Sequence, residues 1–180
     1  MARTTAGARN TASARTSAST RTSSGGIDQT LGSTANDVWD TANIWHAQPF
    51  TPTKKYLSSV VLQLKKVGNP TGNITVQIQT TNGNVPSGTV LASATLNQAT
   101  ITTSYLPYTF NTKCTLTPGT KYHCCKKGPG TNTADNKVAW GYATGVGLAQ
   151  WNWGPGNFTN NATTVQQSLV TNYGGRTTAT

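Results

Sequence analysis

Few residues in this chain are equipped for catalysis. The only acids are Asp28, Asp37, Asp40 and Asp135, and Glu is absent. Hydrolysis of a glycosidic bond normally needs two placed carboxylates. Asp37 and Asp40 flank Trp39, a pattern that serves an Asx turn or a cap equally well. A nucleophile triad would draw on His46 or His123 with a Ser and an Asp. No Gly-x-Ser-x-Gly elbow presents such a serine, and no Gly-rich phosphate loop opens a helix. The expectation is a protein that is not an enzyme and uses no cofactor.

Cysteine chemistry is equally sparse. Cys114, Cys124 and Cys125 make an odd set, which does not suggest a disulfide framework. Adjacent Cys124 and Cys125 would point to opposite faces of a strand, so one metal would not easily take both. His123 completes a His-Cys-Cys run, but CxxC spacing is missing. The expectation is no metal, with reduced thiols used as small core residues and folding in an intracellular place.

Binding chemistry is better represented. Trp151-Asn152-Trp153-Gly154-Pro155-Gly156-Asn157-Phe158 is aromatic and Gly-rich and reads as a loop. If it is extended, Trp151 and Trp153 share a side. With Phe158 they would offer a platform for a pyranose, a contact for another subunit, or a cap on the core. Trp39, Trp45 and Trp140 read as core residues. Lys54-Lys55, Lys65-Lys66 and Lys126-Lys127, with Lys113, Lys121 and Lys137, would suit a phosphate-tracking surface or guard strand edges.

The elements that must position these residues are strands. Val60, Leu62 and Leu64 alternate with polar neighbours, as do Ile74, Val76 and Ile78. Further alternations run over Val90–Leu96, Leu106–Phe110, Tyr122–Cys124 and Val138–Tyr142, with a last strand near Val165–Val170. Turn chemistry separates them at Gly68–Gly72, Asn82-Gly83-Asn84, Pro86-Ser87-Gly88 and Pro118-Gly119. Short strands at this spacing predict an antiparallel sandwich of jelly-roll type over 27–180. Surface helix formers are scarce, which excludes a helical bundle. No apolar run approaches the ~18 residues of a membrane span, so no membrane partner is expected.

Met1–Gly26 differs in texture, being Ala, Ser, Thr, Gly and Arg with no aromatic residue. It lacks the apolar core of a secretory signal. It resembles a transit peptide in its arginines and missing acids, but not in lacking Leu, Ile, Val and Phe. Such a segment cannot bury enough apolar surface to order alone. Its arginines fall at Arg3, Arg9, Arg15 and Arg21, six residues apart. On an extended chain all four would share one face about 20 Å apart, which suits a strap on a repeating or anionic surface. The net charge of +10 divides as +4 here and +6 in the body.

The stretches Gln48–Pro52, Leu57–Lys66, Gly68–Val76, Val85–Ala92 and Leu116–Tyr122 resemble choice-of-anchor R type β-sandwich domains. Those carry a Gln-x-Phe-Thr opening, a Gly-x-Pro-x-Gly hairpin and a Leu-x-Pro-Gly-Thr-x-Tyr corner. The likeness covers about Gln48 to Tyr142, and His123–Lys127 departs from the apolar strand usual there. It implies a sandwich similar to carbohydrate-binding modules, of a kind found on bacterial surfaces and in phages and other viruses. The leading expectation is a non-enzymatic virion structural protein that decorates or reinforces a capsid. Its partners would be capsid proteins and further copies on a lattice, met through Arg3, Arg9, Arg15 and Arg21. One alternative is a glycan-binding module or adhesin using Trp151 and Trp153. The other is a self-assembling jelly-roll capsid protein whose arm contacts nucleic acid.

Overall fold

The computed structural model describes residues 26–31, 36–39, 45–154, 157–167 and 169–174, with side chains for 26–28, 45–142 and 169–174. The arm arginines Arg3, Arg9, Arg15 and Arg21 lie outside the described residues. Twelve strands follow in order. They are β1 (Gly26–Leu31), β2 (Asn36–Trp39), β3 (Trp45–Phe50), β4 (Tyr56–Val67), β5 (Asn73–Asn82) and β6 (Val85–Asn97). After a single 3₁₀ turn at Gln98–Thr100 come β7 (Leu106–Phe110), β8 (Cys114–Thr115), β9 (Tyr122–Lys127), β10 (Lys137–Gly154), β11 (Asn157–Gln167) and β12 (Leu169–Tyr173).

The strands form the expected antiparallel β-sandwich. One layer runs β1–β12–β4–β7, with β8 beside the start of β4. The other runs β10–β3–β9–β5–β6. The layers join through β10, which pairs with β4 over Lys137–Trp140 and with β3 over Trp151–Trp153.

Alternation decides what each layer buries. Val60, Leu62 and Leu64 of β4 meet Ile74, Val76 and Ile78 of β5 in the principal core. Phe110, Tyr122, Cys124, Val138, Trp140 and Leu169 fill the space between them. Trp140 is fully buried, as its sequence context predicts. Pro49 lies past the end of the β3–β10 pairing, and Pro86 is on β6, which pairs with β5 alone among the described residues, positions at a sheet edge or a pairing's end that proline tolerates.

Gly68 shows how tightly the β4–β5 connection is made. Its φ is +66°, and a Cβ there would stand 2.1 Å from the Asp135 carbonyl oxygen. The Asn69 amide donates to Asn136 Oδ1 at 2.7 Å, tying the same turn to the loop before β10. Gln98, fully buried, donates its side-chain amide to the Thr71 carbonyl and accepts from Asn132 Nδ2. Three loops at this end are therefore stapled by one glutamine.

Three details depart from the sequence reading. Of the Trp151–Phe158 stretch, read as a loop, Trp151–Gly154 ends β10 and Asn157-Phe158 opens β11. The last strand is Leu169–Tyr173 rather than Val165–Val170, because Val165 belongs to the long β10–β11 hairpin. Val90 is exposed although it continues an apolar alternation, because the β5–β6 register shifts on both sides of Gln79, its partner.

Candidate glycan-binding face

Trp45 lies opposite Trp153 in the β3–β10 pairing, and Trp153 lies opposite Phe158 in β10–β11. On the other side Trp45 faces Lys127 of β9, Lys127 faces Thr75 of β5, and Thr75 faces Thr95 of β6. One register row therefore crosses six strands as Phe158, Trp153, Trp45, Lys127, Thr75 and Thr95. The neighbouring row runs Asn160, Trp151, Ala47, Cys125, Gln77 and Ser93. Neighbouring strands lie ~4.8 Å apart, so three aromatic positions fall within about 10 Å along the first row.

Where side chains are described, the row has a definite chemistry. The Lys127 ammonium lies 4.9 Å from the centroid of the Trp45 ring, within cation–π range. Lys127 is exposed and Trp45 half-buried. The sequence reading placed Trp45 in the core, but it lies outside the principal one. It packs against a second small cluster of Ala47, Cys125 and Val85. An indole, an ammonium, threonine hydroxyls and the Gln77 amide stand side by side. Aromatic positions beside hydroxyl, amide and ammonium groups are the kind of chemistry by which a pyranose is recognised, rings packing its apolar face and polar groups bonding its hydroxyls.

One row further along the sheet, the same face is built on His123. Its partners in register are Pro49 and Gln79. The Thr81 hydroxyl lies 3.0 Å from both His123 Nδ1 and the Lys121 carbonyl oxygen. Burial and the Lys121 charge push the His123 pKa down to about 4, which keeps the ring neutral near pH 7. Gln79 is held in turn, donating to Gln77 Oε1 at 2.8 Å and accepting from the Gly88 amide at 3.1 Å.

The two candidate histidines are not gathered on one face. His46 pairs with Lys126 in register and His123 with Pro49, so alternation sets the two histidines on opposite faces of the sheet. Asp28 accepts from both the amide and the hydroxyl of Thr53, and so pins β1 to the loop before β4. Asp37 lies opposite Gly141 on β2. Cys124 belongs to the principal core and Cys125 to the small cluster, the opposite faces that adjacency predicts. Burial raises the pKa of both thiols.

The lysines also separate. Lys126 is fully buried, its ammonium donating to the Val138 carbonyl at 3.2 Å, and Lys137 is buried as well. The reading of both as surface charges is corrected here. Lys66 donates to the Ala99 carbonyl. Lys54-Lys55 and Lys65-Lys66 stand at opposite ends of β4, about 30 Å apart, so the doublets form no single phosphate track.

The chain matches no family model and no curated protein. Solved structures do resemble it. One holds the cysteine protease and lectin-like domains of Cwp84, a surface layer associated protein of Clostridium difficile. The TM-score is 0.51 at 15% identity, over 79% of this chain and 36% of that one. Another is a clostridial cysteine protease Cwp84 variant after propeptide cleavage, with TM-score 0.51, 13% identity and 77% and 38% coverage. This chain thus spans little more than a third of those chains, and at such identity the likeness is one of fold.

Proposed function

We propose that this chain is a non-enzymatic carbohydrate-binding β-sandwich whose recognition surface is the row of Trp45, Trp153, Phe158 and Lys127. The observation that carries this reading is the direct opposition of Trp45 and Trp153, with the Lys127 ammonium over the Trp45 ring. The fold likeness to a chain that includes a lectin-like domain supports it, as does the resemblance to choice-of-anchor R sandwiches. The test is a glycan array followed by titration of the best ligand. Trp45→Ala and Trp153→Ala should each weaken binding at least tenfold while far-UV circular dichroism stays unchanged. Full affinity in both variants would overturn the assignment.

The N-terminal segment favours a second reading, a virion structural protein that attaches to a capsid lattice as a decorating or reinforcing subunit. Its support is the six-residue spacing of Arg3, Arg9, Arg15 and Arg21 in a stretch without acids. Co-sedimentation with purified particles tests it, and deletion of residues 1–25 should abolish attachment. Undiminished attachment of the shortened chain would sink it. Nuclease-sensitive sedimentation would point instead to a genome-contacting arm.

A further inference from the structure

A groove of about 410 Å³ opens at the far end of β4, in the other layer of the sandwich. Its walls are Tyr56 and Ser58 of β4, Thr115 of β8, Lys113 just before it, and Gly174 after β12. The register explains the assembly, since Tyr56 pairs with Thr115 and Leu57 pairs with both Cys114 and Tyr173. The volume is in the range of small-ligand sites, ~300–1,000 Å³.

The groove wall is mainly apolar, with Leu57 and Cys114 at its base, and Lys113 is the one charged residue among those that line it. The Lys55 ammonium stands 5.6 Å from the centroid of the Tyr56 ring, and Lys54, Lys55 and Lys113 are all exposed. Asp28 is the one acid whose described side chain lies at this end, and Thr53 holds it. The Ser58 hydroxyl donates its proton to the Asn172 carbonyl at 2.8 Å, so its lone pairs are left to accept from a ligand hydroxyl. Burial pushes the Cys114 thiol up to about 11, so the wall carries no thiolate at neutral pH to repel an anion.

We infer that this groove binds an acidic saccharide, with the ligand's ring against Tyr56, its hydroxyls on Ser58 and Thr115, and its carboxylate between Lys113 and Lys55. The saccharide part of this inference rests on the carbohydrate-binding reading, whereas the anionic part rests on the lysines. A neutral sugar would keep the ring and hydroxyl contacts but leave the ammonium groups in water.

The experiment is titration of the ¹⁵N-labelled full chain with tetragalacturonate and, separately, with its methyl ester. Tetragalacturonate should shift the amides of residues 56–58, 113–115 and 174. Lys113→Gln, at an exposed position, should cut the affinity at least fivefold, and Tyr56→Ala at least tenfold. The methyl ester should bind at least tenfold more weakly, and Trp45→Ala should leave the acid's affinity unchanged. Absence of groove shifts, or equal binding of acid and ester, would overturn the inference. Loss of acid binding in Trp45→Ala but not in Lys113→Gln would move the ligand to the other face. The two proposals fail separately: intact glycan-array binding in Trp45→Ala defeats the first site without touching the groove.

Discussion

Strand β9 has two faces, and they serve different cores. Tyr122 and Cys124 sit among the aliphatic and aromatic residues that hold the two layers together. Cys125, one residue away, packs with Ala47, Val85 and Trp45 on the reverse side. The first cluster is large and joins both sheets, whereas the second is small and edged by polar groups. A stretch written His-Cys-Cys-Lys-Lys is thus buried through Lys126. The difference teaches that position within a sheet, rather than side-chain polarity, decides what becomes interior. On the large side burial stabilises the fold, and on the small side it supports the proposed binding row.

Substitutions should separate the two faces. Trp140→Ala should cost about 3–5 kcal/mol in chemical denaturation, the range for a fully buried large aromatic. Trp45→Ala should cost well under half of that. Equal losses would erase the distinction between a core and a supporting cluster.

Acid should act on the reverse face. The His123 pKa lies near 4 in the fold against 6.5 in the unfolded chain. Above pH 6.5 the ring is neutral in both states and carries no penalty. As pH falls through 6.5 the unfolded chain takes up a proton that the folded one refuses. Stability should therefore decline down to about pH 4 and then level off, a total on the order of 3 kcal/mol. His123→Gln should flatten that decline in pH-dependent denaturation, and an unchanged slope would place the sensitivity elsewhere.

Thiol labelling reads both faces at once. Cys124 and Cys125 should react only at the rate of unfolding, and half-buried Cys114 should react first but slowly, because its thiol is held protonated. Mass spectrometry of the labelled chain should show one modified cysteine under native conditions. Early labelling of Cys125 would mean that the small cluster opens by itself.

The smallest effect should come from Lys127→Ala, about 0.5 kcal/mol for loss of an exposed cation–π pair. A much larger loss would mean that Lys127 helps to hold the sheet rather than edging a binding surface.

Much of this fold was legible in the sequence, for reasons that particular strands make plain. β4 and β5 are buried on one face, so Val60, Leu62, Leu64 and Ile74, Val76, Ile78 alternate cleanly. β9 is buried on both faces, which removes alternation as a signal, and its lysines read as surface. Lys126 could be placed inside only by knowing that His46 and Val76 flank it in register. The same holds for the candidate face. The spacing of Trp151 and Trp153 showed that they share a side, but Trp45 lies more than a hundred residues earlier. What joins them is the β3–β10 register, which no local pattern encodes.

The continuity of β10 has a mechanical consequence. Eighteen residues run without a break from a pairing in one layer to a pairing in the other. Sliding or hinging of the layers against each other would have to shear ladder bonds at both ends of a single strand. The sandwich should therefore transmit a load applied at the Trp153 row directly to β4 and the acidic-saccharide groove at its far end. A molecule gripped at both places would pull along hydrogen-bonded backbone rather than across a greasy interface.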